Sequence, residues 1–160
     1  MKGVQKKRSI LVLIGALILS YGTGFLGSIF TSEEINEEWY ASIRPAITPP
    51  DWVFPIVWNI LFLLFALSLW QVWIHAKNKK EKKMIGFVYG GNLILNAGWS
   101  FMYFGLQNPL LAFFDLLALL VTIILAMRLS WKIKREASWL LVPYLLWVIF
   151  AGVLNVLSIV

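Results

Sequence analysis

A row of amide and aromatic side chains on one predicted helix offers the most chemistry in this sequence. The row recurs at spacings of three and four residues, so its members share a helix face: Tyr89, Asn92, Asn96, Trp99 and Tyr103. Amides inside an apolar segment normally face the bundle interior or a cavity, because lipid offers them no hydrogen-bond partner. The row therefore predicts either the wall of a binding cavity or hydrogen bonds between helices, worth about 0.6 kcal/mol each.

Aromatic residues on three other apolar segments are candidates for the same cavity. Trp58 and Phe62 share one face of the second segment. Trp147 and Ala151 lie four residues apart on the last segment, and Tyr21 lies beside a stripe of small residues on the first. Tryptophans commonly anchor membrane proteins at the lipid–water interface. Trp58 and Trp147 fall too deep for that role, so we expect both to line the cavity.

Charged and metal-binding side chains are scarce within the apolar segments. Asp115 is the one acid there, and it needs a donor: a Tyr hydroxyl, an indole N–H or Arg44. A structural bridge between helices is favoured over proton transfer. The chain has no Cys, and its single histidine, His75, lies at the opposite end of its segment from the cavity. We therefore predict no metal site and no obligatory cofactor.

Five apolar segments, each long enough to cross a bilayer, must position these residues. They cover residues 9–30, 52–75, 84–107, 110–128 and 137–159. The sequence predicts an all-α integral membrane protein, a single domain over residues 1–160 built as a bundle of five transmembrane helices. Alternating ten-residue segments typical of a barrel are absent. A cleaved signal peptide over residues 1–30 is the alternative for the first segment, but its uncharged run is too long.

The basic residues indicate the orientation of the bundle in the membrane. The formal net charge is +6, and of the 14 basic residues all but Arg44 fall on one side of a five-span arrangement. The positive-inside rule then places the N-terminus in the cytoplasm and the C-terminus outside. The same clustering argues against nucleic acid as a partner. The loop over residues 31–51 is predicted to lie outside the membrane.

The segment from Arg44 to Trp58 is predicted to be a stiff lid over a cavity in the outer half of the bundle. It holds four of the six prolines, and proline fixes φ and lacks an N–H. Trp58, at the end of this segment, is expected to line that cavity. Arg44 is then a candidate partner for Asp115 or for a ligand carboxylate.

Several motifs together resemble the TspO/translocator protein family (tryptophan-rich sensory protein, peripheral benzodiazepine receptor). The resemblance covers essentially the whole chain and rests on Trp39-Tyr40, Arg44-Pro45, Pro49-Pro50-x-Trp52-Val53-Phe54-Pro55-x-x-Trp58, Asn96-x-x-Trp99, Asp115 and Pro143-Tyr144-x-x-Trp147. It implies a five-helix bundle, usually a homodimer, whose pocket binds porphyrins such as protoporphyrin IX or haem and other lipophilic ligands. The cholesterol-recognition pattern of animal members is not predicted here, because Val156 occupies the aromatic position.

The helix faces and the resemblance together give one candidate set of ligand-binding residues. They are Tyr21, Trp39, Pro45, Trp58, Phe62, Asn92, Asn96, Trp99, Asp115, Trp147 and Ala151. The expected function is that of a membrane receptor or carrier for porphyrins and similar lipophilic molecules. The alternative is an enzyme that degrades porphyrin with light and oxygen, using Trp58 and Trp147. A small structural or assembly protein without a ligand is the third possibility.

Three glycines lie opposite the amide row at intervals of seven residues: Gly91, Gly98 and Gly105. Such a bare face suits close approach by another helix, either within the bundle or from a second protomer. The resemblance makes these glycines candidates for a homodimer interface. The expected location is the cell membrane of a bacterium, with the outer mitochondrial membrane as the alternative for a eukaryotic source.

Overall fold

The chain is largely helical in a computed structural model that describes residues 2–31 and 33–160. Seven α-helices and one π-helical segment follow one another, and the described residues form no strand. The elements are α1, Lys2–Ser28; α2, Glu33–Ile43; α3, Val53–His75; α4, Lys79–Ser100; the π-helical segment, Phe101–Gly105; α5, Pro109–Ile133; α6, Arg135–Trp139; and α7, Val142–Leu157. The prediction of an all-helical protein is thus confirmed.

Four stretches of the described helices are long and apolar enough to cross a membrane. They are Gln5–Ser28, Val53–His75, Pro109–Ile133 and Arg135–Leu157. α4, which carries the predicted third span, lies outside this group. Charged residues occupy its first turn, and two asparagines and four glycines lower its hydropathy. The protein is therefore a membrane protein with four candidate spans.

Two elements differ from the predicted boundaries. The predicted loop over residues 31–51 contains a helix, α2, whose Glu-rich sequence suits helix formation. The predicted span over residues 137–159 is interrupted between α6 and α7. Pro143 falls in the first turn of α7, where its missing N–H would have no helical partner in any case.

α5 is the central helix of the bundle. It packs against α4, α6 and α7, while α1 lies along α3 and also contacts α4. The residues at the centre of this packing are fully buried and apolar, among them Ile85, Leu116, Ile123 and Val148. α3 and α7 contact each other at few points, so the bundle is closely packed around α5 and loose between these two helices.

A sharp turn joins the π-helical segment to α5. Gln107 adopts a φ of 50°, and Asn108 caps α5 by accepting a hydrogen bond from the Leu111 N–H at 3.0 Å. Pro109 then begins the helix. This turn directly follows the π-helical segment, which carries the aromatic residues Phe101, Tyr103 and Phe104.

Candidate ligand-binding site

An open apolar groove of about 470 Å³ lies where α3 and α7 diverge. Its lining residues are all apolar: Val57, Ile60, Leu61, Pro143, Leu146, Trp147 and Phe150. Ile60 is 52% exposed and Leu146 is 62% exposed, so the groove opens sideways on the helical surface. Its volume falls within the range of small-molecule sites, about 300–1,000 Å³.

Of the two tryptophans predicted to line a cavity, Trp147 lines this groove and Trp58 does not. Trp147 forms part of the groove wall, and its ring meets Phe54 edge-on with centroids 5.8 Å apart. Trp58 lies further in, stacked on Phe62 at 5.4 Å and edge-on to Tyr144 at 6.3 Å. Trp58 follows Val57 of the groove lining and Tyr144 follows Pro143, so this cluster of aromatic rings adjoins the groove.

Behind these rings, the predicted amide row forms hydrogen bonds between helices. The Tyr144 hydroxyl donates to Asn92 Oδ1 at 3.1 Å and accepts from Asn96 Nδ2 at 3.0 Å. Asn92 Nδ2 donates in turn to Thr122 Oγ1 at 2.9 Å. Tyr144, Asn92 and Asn96 are all buried, so these bonds join α4, α5 and α7 in an apolar environment. Interhelical hydrogen bonding, one of the two predicted roles, is therefore what these amides do here.

The end of α4 carries a second group of paired polar and aromatic residues. Trp99 Nε1 donates to Asn155 Oδ1 at 3.0 Å, and the Trp99 ring stacks on Tyr103 at 5.0 Å. Asn155 Nδ2 donates to the carbonyl of Pro109 at 2.8 Å. Trp39 of α2 packs against Tyr103 at 5.7 Å. α2 is thereby docked on the π-helical segment that follows α4.

Arg44 stabilises the proline-rich loop from within. Its guanidinium forms an ion pair with Asp51 at 2.8 Å and donates to the Pro49 carbonyl at 2.9 Å. It also lies over the Tyr40 ring, 5.5 Å from the centroid. Burial raises the pKa of Tyr40, and the positive charge of Arg44 opposes that rise. The suggested pairing of Arg44 with Asp115 is wrong, because an acid seven residues away in the same loop is the nearer partner.

Asp115 lies between α4 and α5 rather than in the groove. Asp115 is 8% exposed, and its Oδ2 atom makes no hydrogen bond to any described residue. None of the three predicted donors reaches it. A Cβ atom built on Gly98 would lie 3.2 Å from Asp115 Oδ1, so the glycine provides the room for this carboxyl group.

The other two glycines of the seven-residue series differ in their surroundings. A Cβ atom on Gly105 would meet Phe101 at 3.0 Å and Phe30 at 3.2 Å, whereas one on Gly91 would meet nothing within 4 Å. Gly98 and Gly105 therefore pack against this chain's own side chains. Gly91 alone of the three faces open space.

The remaining predicted residues lie apart from the groove. The Tyr21 hydroxyl donates to the Asn59 carbonyl at 3.0 Å, which joins α1 to α3. Pro45 accepts a hydrogen bond from the Thr48 hydroxyl within the loop, and Ala151 packs against the core. Of the predicted set, the structure places Trp147 in the groove, with Trp58 and Phe62 beside it.

Most of the groove-lining residues were not predicted from the sequence. Ile60, Leu61 and Leu146 are aliphatic residues in aliphatic segments, so no local contrast distinguishes them. Tyr144 had a signal, because it lies three residues before Trp147 and directly after Pro143. Thr122 accepts a hydrogen bond from Asn92, but no feature of the sequence around it indicated that role.

A helical membrane protein with an apolar, tryptophan-lined groove between two of its helices is the class that this geometry defines. A sequence profile of the TspO/MBR family matches residues 16–159. The chain therefore belongs to the TspO/MBR family, which confirms the resemblance seen in the motifs.

Individual relatives agree with this assignment. The chain is 38% identical over 148 residues to the tryptophan-rich protein TspO of Chlorobaculum tepidum, which covers 92% of this chain and 94% of the relative. It is 32% identical over 145 residues to the translocator protein of Bos taurus, covering 89% and 85%. It is 29% identical over 134 residues to the protein CrtK of Rhodobacter capsulatus, covering 82% and 81%.

Proposed function

We propose that this protein binds porphyrins and similar flat, lipophilic molecules from within the membrane and acts as their receptor or carrier. The observation that carries the proposal is the lateral apolar groove with Trp147 in its wall. A flat macrocycle gains most from aromatic stacking in a groove without charges. Membership of a family whose relatives include proteins named translocator supports the role of a carrier.

The layers behind the groove suggest how a ligand is held. Trp147 offers a ring surface in the groove wall, and the stacked pair of Trp58 and Phe62 adjoins the groove. The hydroxyl and amide groups of Tyr144, Asn92 and Asn96 lie deeper, within hydrogen-bonding reach of one another. Ring nitrogens or propionates of a porphyrin can exchange hydrogen bonds with such groups. No cofactor is required for this role.

The proposed arrangement in the membrane has five crossings: the four candidate spans and α4, which is the third crossing in chain order. α4 packs on α5 and α1, two helices apolar enough to span, and we therefore place it at the same depth in the membrane. The basic residues at the start of α1, the start of α4 and the end of α5 then share one side. By the positive-inside rule that side, with the N-terminus, is cytoplasmic in a bacterial cell membrane, and the C-terminus and α2 are outside.

Titration with protoporphyrin IX tests the binding proposal. The purified chain in detergent should show saturable quenching of tryptophan fluorescence, and Trp147→Ala should weaken the affinity about tenfold through lost stacking. Ile60→Trp should also weaken binding by filling the groove. Ile56→Trp is the matched control, because Ile56 is likewise 52% exposed on α3 but does not line the groove. Equal affinity for all three variants and the wild type would exclude the groove as the site.

A light-dependent reaction is the second candidate function, and the position of Trp147 favours it. An indole in the groove wall is in place to give an electron to an excited porphyrin bound there. Illumination of the protein with protoporphyrin IX in air should then bleach the pigment, and Trp58→Phe and Trp147→Phe should slow the bleaching. If both variants bleach at the wild-type rate to the same product, the enzymatic role is refuted.

We propose that the protein forms a homodimer and that the two protomers meet at the exposed face of α4. Gly91 faces open space, and Phe87 and Ile94 beside it are 79% and 74% exposed. Gly91→Leu should therefore abolish cross-linked dimers in detergent without lowering the melting temperature of the monomer. Unchanged cross-linking would show that the protomers meet elsewhere.

A further inference from the structure

A second groove, of about 340 Å³, lies at the basic end of the bundle where α1, α3 and α4 meet. Arg8 and Ser9 of α1, Trp73 of α3 and Lys82 of α4 line its polar part. Val12 and Ile74 form its apolar side. None of these residues belongs to the porphyrin groove or to the amide network.

No described side chain neutralises the two cations of this second groove. Among the side chains of residues 5–31 and 37–160, ion pairs form between Arg44 and Asp51 and between Lys134 and Glu136, and neither Arg8 nor Lys82 takes part in one. The acid closest in sequence, Glu81, accepts the backbone N–H of Lys77 at 2.6 Å. The groove thus presents two positive charges for an anion from outside.

Neighbouring groups shape the groove around these charges. Lys82 Nζ lies over the Trp73 ring, 5.9 Å from its centroid. The Ser9 hydroxyl and carbonyl oxygens each accept from Trp70 Nε1 at 3.1 Å. That bond ties α1 to α3, and it leaves the Ser9 hydroxyl proton to donate to an acceptor in the groove.

The groove lies at the boundary between lipid and water. The candidate span of α1 begins at Gln5, and the candidate span of α3 ends at His75. Arg8 is therefore about one turn inside the first span, and Trp73 is within one turn of the end of the other. The two positive charges suit the anionic headgroup of a lipid. The apolar side formed by Val12 and Ile74 lies within the two spans, where an acyl chain would lie.

We propose that this groove binds the phosphodiester headgroup of an anionic phospholipid, held by Arg8 and Lys82, with an acyl chain along Val12 and Ile74. A soluble phosphate would use the two charges but would gain nothing from the apolar side. Basic pockets between helices at the cytoplasmic surface suit such headgroups on general electrostatic grounds. The proposal does not depend on porphyrin binding.

The test is a titration of the full-length protein in detergent with three probes. Dioctanoyl phosphatidylglycerol should bind saturably, and dioctanoyl phosphatidylcholine and glycerol 3-phosphate should each bind at least about tenfold more weakly. Arg8→Gln combined with Lys82→Gln should weaken phosphatidylglycerol binding about 30-fold, or roughly fivefold for each lost charge. Lys79→Gln combined with Lys80→Gln removes the same net charge outside the groove and should change the affinity by less than about threefold.

Each other result overturns the proposal. Equal losses in the two double variants would mean general attraction to a basic surface. Equal binding of phosphatidylcholine would mean that Arg8 and Lys82 do not select for an anionic headgroup. Equal binding of glycerol 3-phosphate would identify a soluble phosphate as the ligand. If the groove variant does not fold, the selectivity of the wild-type protein among the three probes decides the question.

Discussion

α7 meets its neighbours in two contrasting ways. Toward α4 and α5 it is held by hydrogen bonds, with Tyr144 serving two amides and Asn155 linking the Trp99 indole to the start of α5. Toward α3 it presents Leu146 and Trp147 to an open groove. A polar group in lipid has to be paired inside the protein, whereas an apolar surface can be covered by lipid or ligand. One side of a helix can therefore fix its position while the other side stays free for exchange.

Tyr144→Phe should give the largest effect, because it breaks the hydrogen-bonded side. The change leaves Asn92 Oδ1 and Asn96 Nδ2 buried without their shared partner, at a cost of about 2–3 kcal/mol in unfolding free energy. Thermal unfolding in detergent measures it. Tyr21→Phe removes one exposed hydrogen bond and should cost less than about 1 kcal/mol. Equal losses would contradict the prediction that the buried hydrogen bonds of Tyr144 contribute more to stability than an exposed one.

Gly24→Ala should come next, because it disturbs the rings that support the groove. A Cβ atom at Gly24 would overlap the Phe62 ring, with Phe62 Cζ at 2.9 Å. Overpacking of this kind costs about 1–3 kcal/mol and should also weaken porphyrin binding by displacing Trp58. Gly22→Ala, with nothing within 4 Å of its Cβ, is the matched control and should be neutral or slightly stabilising. A stable Gly24→Ala variant with normal ligand affinity would show that this stack is not needed.

Trp147→Leu separates the two sides most directly. It should lower porphyrin affinity about tenfold, yet change the free energy of unfolding by less than about 1 kcal/mol, because Trp147 makes no hydrogen bond to a described residue of another helix. Ligand titration and thermal unfolding of the same preparation measure both quantities. A large loss of stability would mean that the groove wall is part of the structural core.

Gly98→Ala extends the comparison to α4 and should have the smallest effect. Its new methyl group would lie 3.2 Å from Asp115 Oδ1, so a destabilisation of about 0.5–1 kcal/mol is expected. Gly91→Ala gains helix propensity without a clash and should stabilise the monomer by up to about 1 kcal/mol. The opposite signs are the measurable result, and the same sign for both would contradict the different surroundings of the two glycines.

Patterns that depend on helical spacing were predictable from the sequence, and pairings between distant elements were not. The amide row proved to lie on one face, with Asn92 and Asn96 both buried, because a 3.6-residue period is a local property. The aliphatic half of the groove could not be predicted, because Leu61 and Leu146 lie among other aliphatic residues in the sequence. Asp115 and a ligand carboxylate were the two candidate partners for Arg44, whereas the geometry of the loop brings Asp51 to it.

A single hydroxyl shared by two amides makes their pairing cooperative. If Tyr144 moves, Asn92 loses a donor and Asn96 loses an acceptor in the same event, so neither bond can be given up alone. A molecule that enters this layer must therefore supply one donor and one acceptor side by side to restore both. Hydrogen-bonding valence, in addition to flatness and size, then becomes a criterion by which the interior selects what it admits.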